Sequence, residues 1–382
     1  MAFPQTLDLF CRVVDNYGDI GVCWRLARQL AAEHGTAVRL WVDDLASFRR
    51  ICAAVDIAAE EQQLQGVTVR RWHEAMAAQD AADAVIEAFG CELPSAYLAA
   101  MAARPNAPVW INLEYLSAED WVTGCHGLPS PHPQLPLTKY FFFPGFEAGT
   151  GGLLEEGGLA QRRAAFAADP VRQAAFLAGL GVYPAPGDCL VSLFCYPAAP
   201  VAALLDALRD DARPSLVLVP EGVAGAALAA WGGRALKPGE AVRRGSLTLQ
   251  AVPFLDQTDY DTLLWCCDLN LVRGEDSMVR AQWAQKPFIW HIYPQQENAH
   301  RTKLDAFLDR YTEAMPVPAA VACRAAWHAW NGDGDMGAAW PAFRAAMPAL
   351  HAHMPGWRQR LHALGDLAGN LVMFIRQHSS GG

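Results

Sequence analysis

The sequence predicts an α/β protein with two open, mostly parallel sheets in one chain. Short apolar runs alternate with amphipathic helical segments along the chain, which is the pattern of β/α units. The alternation pauses once, at "GLGVYPAPGD" (residues 179–188), and then restarts. A chain of 382 residues is also longer than one hydrophobic core usually serves. We therefore expect two Rossmann-like domains, over residues 1–180 and 181–350, and a C-terminal helix within residues 351–382 that packs back on the first domain.

The composition indicates an ordered protein without a membrane segment. Hydrophobic residues make up 52% of the chain and charged residues 18%, which gives enough apolar material for two cores and too little charge for disorder. No apolar run is long enough to span a bilayer and the N-terminus does not resemble a secretion signal, so we expect a soluble, cytoplasmic protein. The net charge of −10 disfavours nucleic-acid binding, and a monomer is the default oligomeric state.

The cysteine pattern indicates neither disulfides nor a structural metal. There are ten cysteines, and several of them, including Cys11, Cys189 and Cys267, lie inside apolar segments where a free thiol behaves as a small hydrophobe. The sequence contains no CxxC pair and no Cys/His cluster at zinc spacing. We therefore expect free thiols and no metal site.

The first half of the chain contains six candidate strands. Most are apolar on both faces, as expected of parallel strands that helices cover on either side. These candidates are "LDLFCRVV", "AVRLWV", "VTVRRW", "DAVIEAFG", "APVWINLEY" and "TKYFFFPGF". Helical patterns lie between several of them, including residues 22–34 and 43–55, whereas the proline-rich "HGLPSPHPQLPL" indicates a surface excursion.

The second half repeats the pattern with five more candidate strands. They are "CLVSLFCY", "PSLVLVP", "SLTLQAVPF", "CDLNLVRG" and "KPFIWHIYP". A last amphipathic segment covers residues 355–378. Open parallel sheets bind ligands at the carboxyl ends of their strands, so the loops that follow these candidates are where a functional site is expected.

The loop "VVDNYGDIGV" (residues 13–22) follows the first strand and precedes a helix. Such a turn normally offers backbone N–H groups and a positive helix end to an anion. Here it carries two carboxylates instead, Asp15 and Asp19, beside Gly18 and Gly21. Helix capping is an open alternative for Asp19, because aspartate is common at that position. Two acidic residues within five positions at the carboxyl end of a strand nevertheless make capping alone a less favoured explanation.

The second-half loop "VRGEDS" (residues 272–277) has the opposite character. Arg273 at the strand end supplies a cationic fork that suits phosphate. Ser277 or Asp276 can cap the following helix, whose first-turn amides are then available to an anion. These features predict a diphosphate site with Glu275 beside it, although an ordinary capped helix explains the stretch equally well.

Aromatic and amide side chains follow other strands of the second half. Phe194 and Tyr196 lie in "LFCYP", Phe254 and Gln257 in "VPFLDQ", and Tyr293 in "WHIYPQQENAH". A nucleobase requires an aromatic face for stacking and a polar group that recognises its edge. Taken singly, each of these residues is more often part of the core, but their convergence on strand ends favours a nucleotide site.

Taken together, these motifs resemble those of the elongation factor P protein-arginine rhamnosyltransferases. The resemblance rests on "DNYGDIGV", "NLEYLSAE", "PGFEAGTGGLL", "PFLDQTDYD", "VRGEDSMVRAQWA" and "PFIWHIYPQQENAH", in that order, over about residues 5 to 310. It implies the GT-B glycosyltransferase fold, with two facing Rossmann-like domains and a deep cleft between them. It also implies transfer of L-rhamnose from dTDP-β-L-rhamnose to an arginine of elongation factor P, with inversion and without a metal or another cofactor.

The resemblance also assigns residues by position. The essential acidic residues would be Asp15, Asp19 and Glu275, and the rest of the first loop, Asn16, Tyr17 and Gly18, is expected to contact substrate. The donor nucleotide would contact Phe194, Tyr196, Phe254 and Gln257, and the diphosphate would lie among Arg273, Asp276, Ser277 and Tyr293.

An arginine acceptor explains why carboxylates occupy the first loop. The guanidinium is a poor nucleophile, because its lone pairs are delocalised and its pKa exceeds ~12. Our hypothesis is that Asp19 acts as the general base, that Asp15 orients the guanidinium or supports Asp19, and that Glu275 fixes the rhamnose or the acceptor.

Two other functions stay open on the sequence. Another enzyme of this fold, such as a nucleotide-sugar epimerase or a transferase with a small-molecule acceptor, would leave elongation factor P unmodified. A non-catalytic partner-binding protein of the same fold would bind no dTDP-sugar. The acidic residues argue against the second of these.

Overall fold

The computed structural model describes residues 5–15, 17–73, 80–294 and 299–379. The strands are, in chain order, β1 (Thr6–Cys11), β2 (Ala37–Val42), β3 (Glu61–Leu64), β4 (Val67–Arg71), β5 (Ala84–Ala88), β6 (Val109–Leu113), β7 (Pro129–Pro131), β8 (Thr138–Phe142), β9 (Cys189–Leu193), β10 (Ser215–Pro220), β11 (Ala241–Arg244), β12 (Leu247–Val252), β13 (Leu269–Arg273) and β14 (Phe288–His291). The helices are α1 (Gly18–His34), α2 (Leu45–Ile51), α3 (Ser95–Ala102), α4 (Trp121–Cys125), α5 (Leu159–Ala167), α6 (Pro170–Gly179), α7 (Val201–Arg209), α8 (Gly225–Gly232), α9 (Gln257–Cys266), α10 (Gly274–Ala284), α11 (Ala299–Thr312), α12 (Val317–Trp330), α13 (Met336–His362) and α14 (Leu367–His378). Within the described ranges, no helix combines the length and apolarity needed to cross a bilayer.

The chain divides into two compact units. The first comprises residues 1–157 and 360–382, and the second comprises residues 158–359. The first unit contains an eight-stranded sheet in the order β3-β4-β2-β1-β5-β6-β8-β7. Its central strands run parallel, and only the edge strands β3 and β7 pair antiparallel with their neighbours. The carboxyl ends of β2, β1, β5 and β6 therefore lie in a row along one edge of the sheet.

The core of the first unit is aromatic and encloses the carboxylate of Asp8. Phe10 stacks on Trp41 with ring centroids 5.4 Å apart and contacts Tyr97 edge-on at 4.8 Å. Asp8, on β1, is fully buried and pairs with Arg39 through two nitrogens of its guanidinium. Trp41 Nε1 also donates to Asp8 at 3.0 Å. Such pairing makes burial of the Asp8 charge tolerable, because each of its oxygens has a hydrogen-bond donor.

The C-terminal segment belongs to the first unit, but it is not one continuous helix. The predicted segment 355–378 is interrupted between α13 and α14, where Gly365 adopts a φ of +79°. Asp366 caps α14 by accepting from the backbone N–H groups at the start of that helix, and it also accepts a hydrogen bond from Gln29 Nε2 at 3.0 Å. Phe374 packs on Phe142 of the sheet with centroids 5.5 Å apart. Aromatic and polar contacts thus join α14 to the first unit.

The second unit contains a six-stranded sheet in the order β11-β12-β10-β9-β13-β14. All neighbours are parallel except β11, which pairs antiparallel with β12 at the edge. An aromatic cluster packs against β14, where Phe288 contacts Tyr311 and Trp327 with centroids 5.2 Å away in each case. The helices α11, α12 and α13 supply the other rings of this cluster, and they cover one face of the sheet with apolar surface.

The boundary between the units differs from the sequence-based one. The predicted domain ends at residue 180, whereas the structure divides the chain between Gly157 and Gly158. Helices α5 and α6 belong to the second unit because their apolar side chains pack there. Phe166 contacts Trp265 of α9 at 5.7 Å, and Leu177 lies in a core cluster of the second sheet. The turn at residues 179–188 therefore connects two elements of one unit.

Every candidate strand of the sequence contains a strand of the structure. Three others were not predicted, namely β3, β7 and β11. Each is short, lies at a sheet edge and pairs antiparallel, and none carries a continuous apolar run. Edge strands cover little of the core, so hydrophobic periodicity does not reveal them.

Candidate functional site

The turn between β1 and α1 is built around the Asp19 carboxylate. Oxygen Oδ2 of Asp19 accepts the backbone N–H groups of Val14 and Asp15, each at 2.8 Å. Both donors lie in the loop before the helix, so these hydrogen bonds from the loop to Asp19 fix the conformation of the loop. The capping alternative for Asp19 is not observed, because the N-cap residue is Tyr17, whose side chain makes no capping hydrogen bond. The carboxylate is thereby fixed in place at the carboxyl end of β1.

The second carboxylate of this turn lies against a glycine. Asp15 is 9% exposed, and the backbone N–H of Gly18 donates to its carbonyl oxygen at 2.6 Å. A Cβ atom at Gly18 would lie 2.5 Å from Asp15 Oδ2, which is too close for the observed side-chain position. The loop therefore brings Asp15, Gly18 and Asp19 together, with Tyr17 half-buried beside them. The predicted substrate residue Asn16 lies outside the described residues.

The environment of Asp19 favours a proton acceptor. Asp19 is only 3% exposed, and this burial raises the pKa of its carboxyl above the ordinary value, which the charge of Asp43 raises further. The two backbone hydrogen bonds and the Tyr115 hydroxyl oppose the rise, because donors stabilise the charged form. A carboxylate with a raised pKa and a fixed orientation has the properties of a general base.

Sequence reasoning missed three residues around this carboxylate. Asp43 follows β2 and accepts the backbone N–H of Val13 at 2.9 Å. Phe89 follows β5, and Tyr115 follows β6. The available signal was topological, since all three follow strands that line up with β1 in a parallel sheet.

In the second unit, Arg273 ends β13 between two aromatic rings. Its guanidinium carbon lies 4.6 Å from the ring centroid of Phe194 and 4.6 Å from that of Tyr196. Contacts with two ring faces restrict the rotamers of this long side chain and leave its charge intact. The sequence predicted Arg273, Phe194 and Tyr196 as ligand contacts, and the structure brings them together in one cluster.

Helix α10 begins immediately after Arg273. Gly274 has a φ of +62°, which lets the chain turn from strand to helix without an intervening loop. The predicted cap by Ser277 or Asp276 is wrong, because the N-cap residue is Arg273 and its side chain makes no capping bond. The Ser277 hydroxyl instead donates to the carbonyl of Arg273. Glu275 and Asp276 both lie in the first helical turn, where acidic residues interact favourably with the helix dipole.

The remaining predicted nucleotide contacts cluster around these residues. Gln257 is buried, and its Nε2 donates to Asp276 Oδ2 at 3.1 Å. Phe254 packs edge-on against Phe194 with centroids 6.4 Å apart. Tyr293, 41% exposed, meets the Tyr196 ring at 5.4 Å. The second unit thus joins the ends of four strands, β9, β12, β13 and β14, into one cluster of aromatic rings, an arginine and a helix N-terminus.

A buried histidine supports this cluster. His291 Nδ1 accepts the backbone N–H of Tyr196 at 3.2 Å, and its ring lies 5.3 Å from the Tyr196 ring. Burial lowers the pKa of His291 to about 4, and the charges of Arg273 and His300 lower it in the same direction. His291 is therefore neutral at physiological pH, and it does not compete with Arg273 as a cation.

The two sites define the class of protein. The first unit carries fixed carboxylates at the end of β1, and the second carries aromatic rings and Arg273 beside the start of α10. Two Rossmann-like units with such sites are the architecture of GT-B glycosyltransferases, which transfer a sugar from a nucleotide donor. The N-terminal domain of trehalose-6-phosphate phosphatase from Candida albicans is similar in fold alone. It has a TM-score of 0.51 at 8% identity, and the match covers 99% of this chain and 97% of the other.

Residues 7–376 match the family described as Elongation-Factor P (EF-P) rhamnosyltransferase EarP, and the chain belongs to that family. Protein-arginine rhamnosyltransferases from Pseudomonas putida and Pseudomonas aeruginosa are 54% and 51% identical to it, covering 97% and 96% of this chain and 98% of each relative. A solved structure described as the structural basis for EarP-mediated arginine glycosylation of translation elongation factor EF-P has a TM-score of 0.70 at 41% identity, covering 97% of this chain and 99% of its own. The family resemblance, the GT-B class and the glycosyltransferase assignment are confirmed.

Proposed function

We propose that this protein transfers L-rhamnose from dTDP-β-L-rhamnose to one arginine of translation elongation factor P, with inversion at the anomeric carbon. Membership of a family described as EF-P rhamnosyltransferases supports this donor sugar and acceptor. The observation that carries the proposal is the pair of carboxylates, Asp15 and Asp19, fixed at the carboxyl end of β1. A translation factor as acceptor also accounts for a cytoplasmic location, and the proposal includes no membrane and no nucleic acid.

In the proposed reaction, Asp19 is the general base. Its Oδ2 is anchored by two loop amides, so the carboxylate cannot rotate freely, and burial raises its pKa toward the range useful for a base. A guanidinium nitrogen attacks the anomeric carbon and forms the N–C bond, the bond from that carbon to the diphosphate oxygen breaks, and the guanidinium proton passes to Asp19. Asp15 orients the guanidinium, and Glu275 is assigned to the sugar or the acceptor on the family resemblance.

The donor half of the reaction belongs to the second unit. Arg273 and the N-terminus of α10 offset the charge that develops on the departing diphosphate. Ser277 and Tyr293 are further diphosphate contacts, and Asp276 holds the amide of Gln257. The thymine lies against the aromatic surface of Phe194, Tyr196 and Phe254. A single displacement of this kind involves no redox step, so the proposal includes no cofactor besides the donor sugar.

The test is intact-mass analysis of elongation factor P after incubation with the protein and dTDP-rhamnose. We expect a mass gain of one deoxyhexose, mapped to one arginine by fragmentation. Asp19→Asn should slow the transfer by about 10²- to 10⁴-fold, which is the usual contribution of a positioned base. It should leave dTDP binding unchanged, because Asp19 lies in the first unit.

Asp80→Asn is the matched control, because Asp80 is an exposed aspartate of the same unit. It should transfer rhamnose at the wild-type rate. An unmodified elongation factor P after prolonged incubation with wild-type protein would contradict the proposed acceptor. Full activity of Asp19→Asn would contradict the proposed base.

A further inference from the structure

Three neighbouring strands of the first sheet end beside the proposed base. The sheet order places β1, β5 and β6 side by side, and all three run parallel. Asp19 lies in the first helical turn after β1, Phe89 directly follows β5, and Tyr115 stands two residues beyond β6. The carboxyl ends of adjacent parallel strands lie along one sheet edge, so these side chains share that edge.

The ring of Tyr115 is fixed by a stack. Its centroid lies 4.5 Å from that of Phe89, with an interplanar angle of 16°. Phe89 has a φ of +57°, a conformation that is rare for an aromatic residue, and its backbone N–H donates to the carbonyl of Leu113 at 2.7 Å. On the other side, the backbone N–H of Glu114 donates to the carbonyl of Phe142 at 2.9 Å. Backbone hydrogen bonds therefore hold both stacked rings at the end of the sheet.

The hydroxyl of the fixed ring reaches Asp19. It donates a hydrogen bond to the Asp19 carboxylate, in addition to the two loop amides that bind Oδ2. We propose that Tyr115 is a positioning residue, whose hydroxyl orients the Asp19 carboxylate toward the acceptor and whose ring is held in place by the stack on Phe89. The inference deepens the proposed function and rests on it for its effect on rate, but the hydrogen bond itself can be tested without any transfer reaction.

Other ionisable groups surround Asp19 and enter the design of the test. Asp15 lies in the same turn, Asp43 follows β2, and the Cys11 thiol lies beneath the turn at the end of β1. The charge of Asp43 favours protonation of Asp19, whereas the Tyr115 hydroxyl favours ionisation. Removal of the hydroxyl should therefore move the titration of Asp19 to higher pH while its other neighbours stay in place.

The first measurement is a carbon-13 NMR titration of the aspartate carboxyl groups in the full chain. The Asp19 signal is identified as the one that is missing in Asp19→Asn. We expect Tyr115→Phe, which keeps the ring and its stack, to raise the titration midpoint of Asp19. Tyr183→Phe is the matched control, because Tyr183 is 76% exposed in the second unit, and it should leave the midpoint unchanged. An equal midpoint in Tyr115→Phe and wild type would overturn the inference.

The second measurement is the transfer rate as a function of pH. Tyr115→Phe should lower kcat by about 10- to 100-fold, which corresponds to one hydrogen bond to a charged group, and should leave the KM for the donor unchanged. The acidic limb of the profile should move to higher pH together with the NMR midpoint. A variant that merely folds less well would lose activity without moving that limb.

Phe89→Leu tests the stack separately. It removes the ring that supports Tyr115 and retains the hydroxyl, so we expect a shift in the same direction as Tyr115→Phe but a smaller one. An unaltered pH–rate profile in Tyr115→Phe, together with an inactive Asp19→Asn, would overturn the positioning role. Full activity of Asp19→Asn would contradict the role of Asp19 as general base. The NMR titration midpoint of Asp19 in Tyr115→Phe would still show whether the Tyr115 hydroxyl binds this carboxylate.

Discussion

The turn between β1 and α1 and the junction between β13 and α10 occupy the same place in their respective sheets and carry opposite charges. In the first unit, six residues separate the strand from the helix, and Asp15 and Asp19 flank the helix start. In the second unit no residue separates them, and Arg273 is the last residue of the strand. The strand–turn–helix unit is common to both, so the difference in side-chain charge comes from the connection.

The difference bears on how a fold that usually binds anions could serve the cationic acceptor of the proposed function. Helix N-termini attract anions because their backbone N–H groups lack partners. In the first unit the first helical turn carries the Asp19 carboxylate, whose Oδ2 accepts two amides of the loop before the helix. In the second unit Gly274 leads directly into a helix without a side-chain cap on its N-terminal residue, and the N-terminal charge acts together with Arg273. A carboxylate in the first helical turn thus opposes the positive helix end, and under the proposed function it serves a cationic acceptor.

The largest effect expected from this comparison concerns the neutral histidine beside Arg273. The pKa of His291 is about 4 in the folded protein and about 6.5 in an unfolded chain. Between these values the unfolded state binds more protons, so stability is lost as the pH falls from 6.5 toward 4. Between pH 7 and pH 4.5, the free energy of unfolding of the wild type should fall by about 2.5 kcal/mol more than that of His291→Asn. Urea unfolding at both pH values measures this difference.

Asparagine suits this test because its side-chain oxygen can accept the Tyr196 N–H as Nδ1 does. His73→Asn, at an exposed position of the first unit, is the control. Its free energy of unfolding should fall between pH 7 and pH 4.5 by as much as that of the wild type. Equal pH dependence in wild type and His291→Asn would show that burial of this histidine does not protect Arg273 from a second positive charge.

The next effect separates the tasks of the two regions. Arg273→Gln should weaken dTDP binding by about 10- to 100-fold, because it removes a charged hydrogen-bond donor to the diphosphate. Isothermal titration calorimetry measures this directly, and Asp19→Asn should bind dTDP as wild type does. Arg244→Gln is the control, because Arg244 also lies over an aromatic ring, that of Trp231, with 5.1 Å between them. If Asp19→Asn and Arg273→Gln weakened dTDP binding equally, the two regions would not have separate tasks.

The smallest effect concerns the glycine behind Asp15. A Cβ atom in Gly18→Ala would meet Asp15 Oδ2 at 2.5 Å, and the carboxylate, as the end of a rotatable side chain, would turn away. We expect a fall in kcat of about tenfold and a change of less than about 1 kcal/mol in the free energy of unfolding, because alanine improves helix propensity. Both quantities can be measured on one preparation, by steady-state transfer assays and urea unfolding.

Gly356→Ala is the matched substitution, because its Cβ atom would meet nothing within 4 Å. It should stabilise α13 slightly and leave the rate unchanged. A wild-type rate for Gly18→Ala would mean that the position of Asp15 does not matter for transfer.

Much of the fold was predictable because it depends on local hydrophobic patterns. The strand "AVRLWV" coincides with β2 (Ala37–Val42), since a strand covered on both faces is apolar throughout. The domain boundary was not predictable in this way. Helices α5 and α6 follow the first unit in sequence, but Phe166 and Leu177 pack in the second, and a helical pattern does not specify which of two cores receives its apolar face.

The same division applies to the candidate site. The residue types at strand ends, namely Asp15, Asp19, Arg273, Phe194 and Tyr196, predicted from sequence which residues the structure would place at the ligand-binding edges, because parallel sheets place ligands at those ends. Their partners were not predictable. Val14 and Asp15 donate to Asp19, and Ser277 donates to Arg273 in place of capping the helix, as a result of loop geometry that several residues set together.

The sequence by itself therefore determined the α/β class, the apolar strands and the charge of each strand-end loop, because periodicity and residue chemistry are local properties. Only the tertiary structure decided that Tyr115, stacked on Phe89, reaches Asp19, and that Arg273 lies near two rings with the neutral His291 on the adjacent strand. Those contacts join residues that are distant in the chain, and they arise because the sheet order places β1, β5 and β6 side by side in one sheet, and β9 and β14 on either side of β13 in the other.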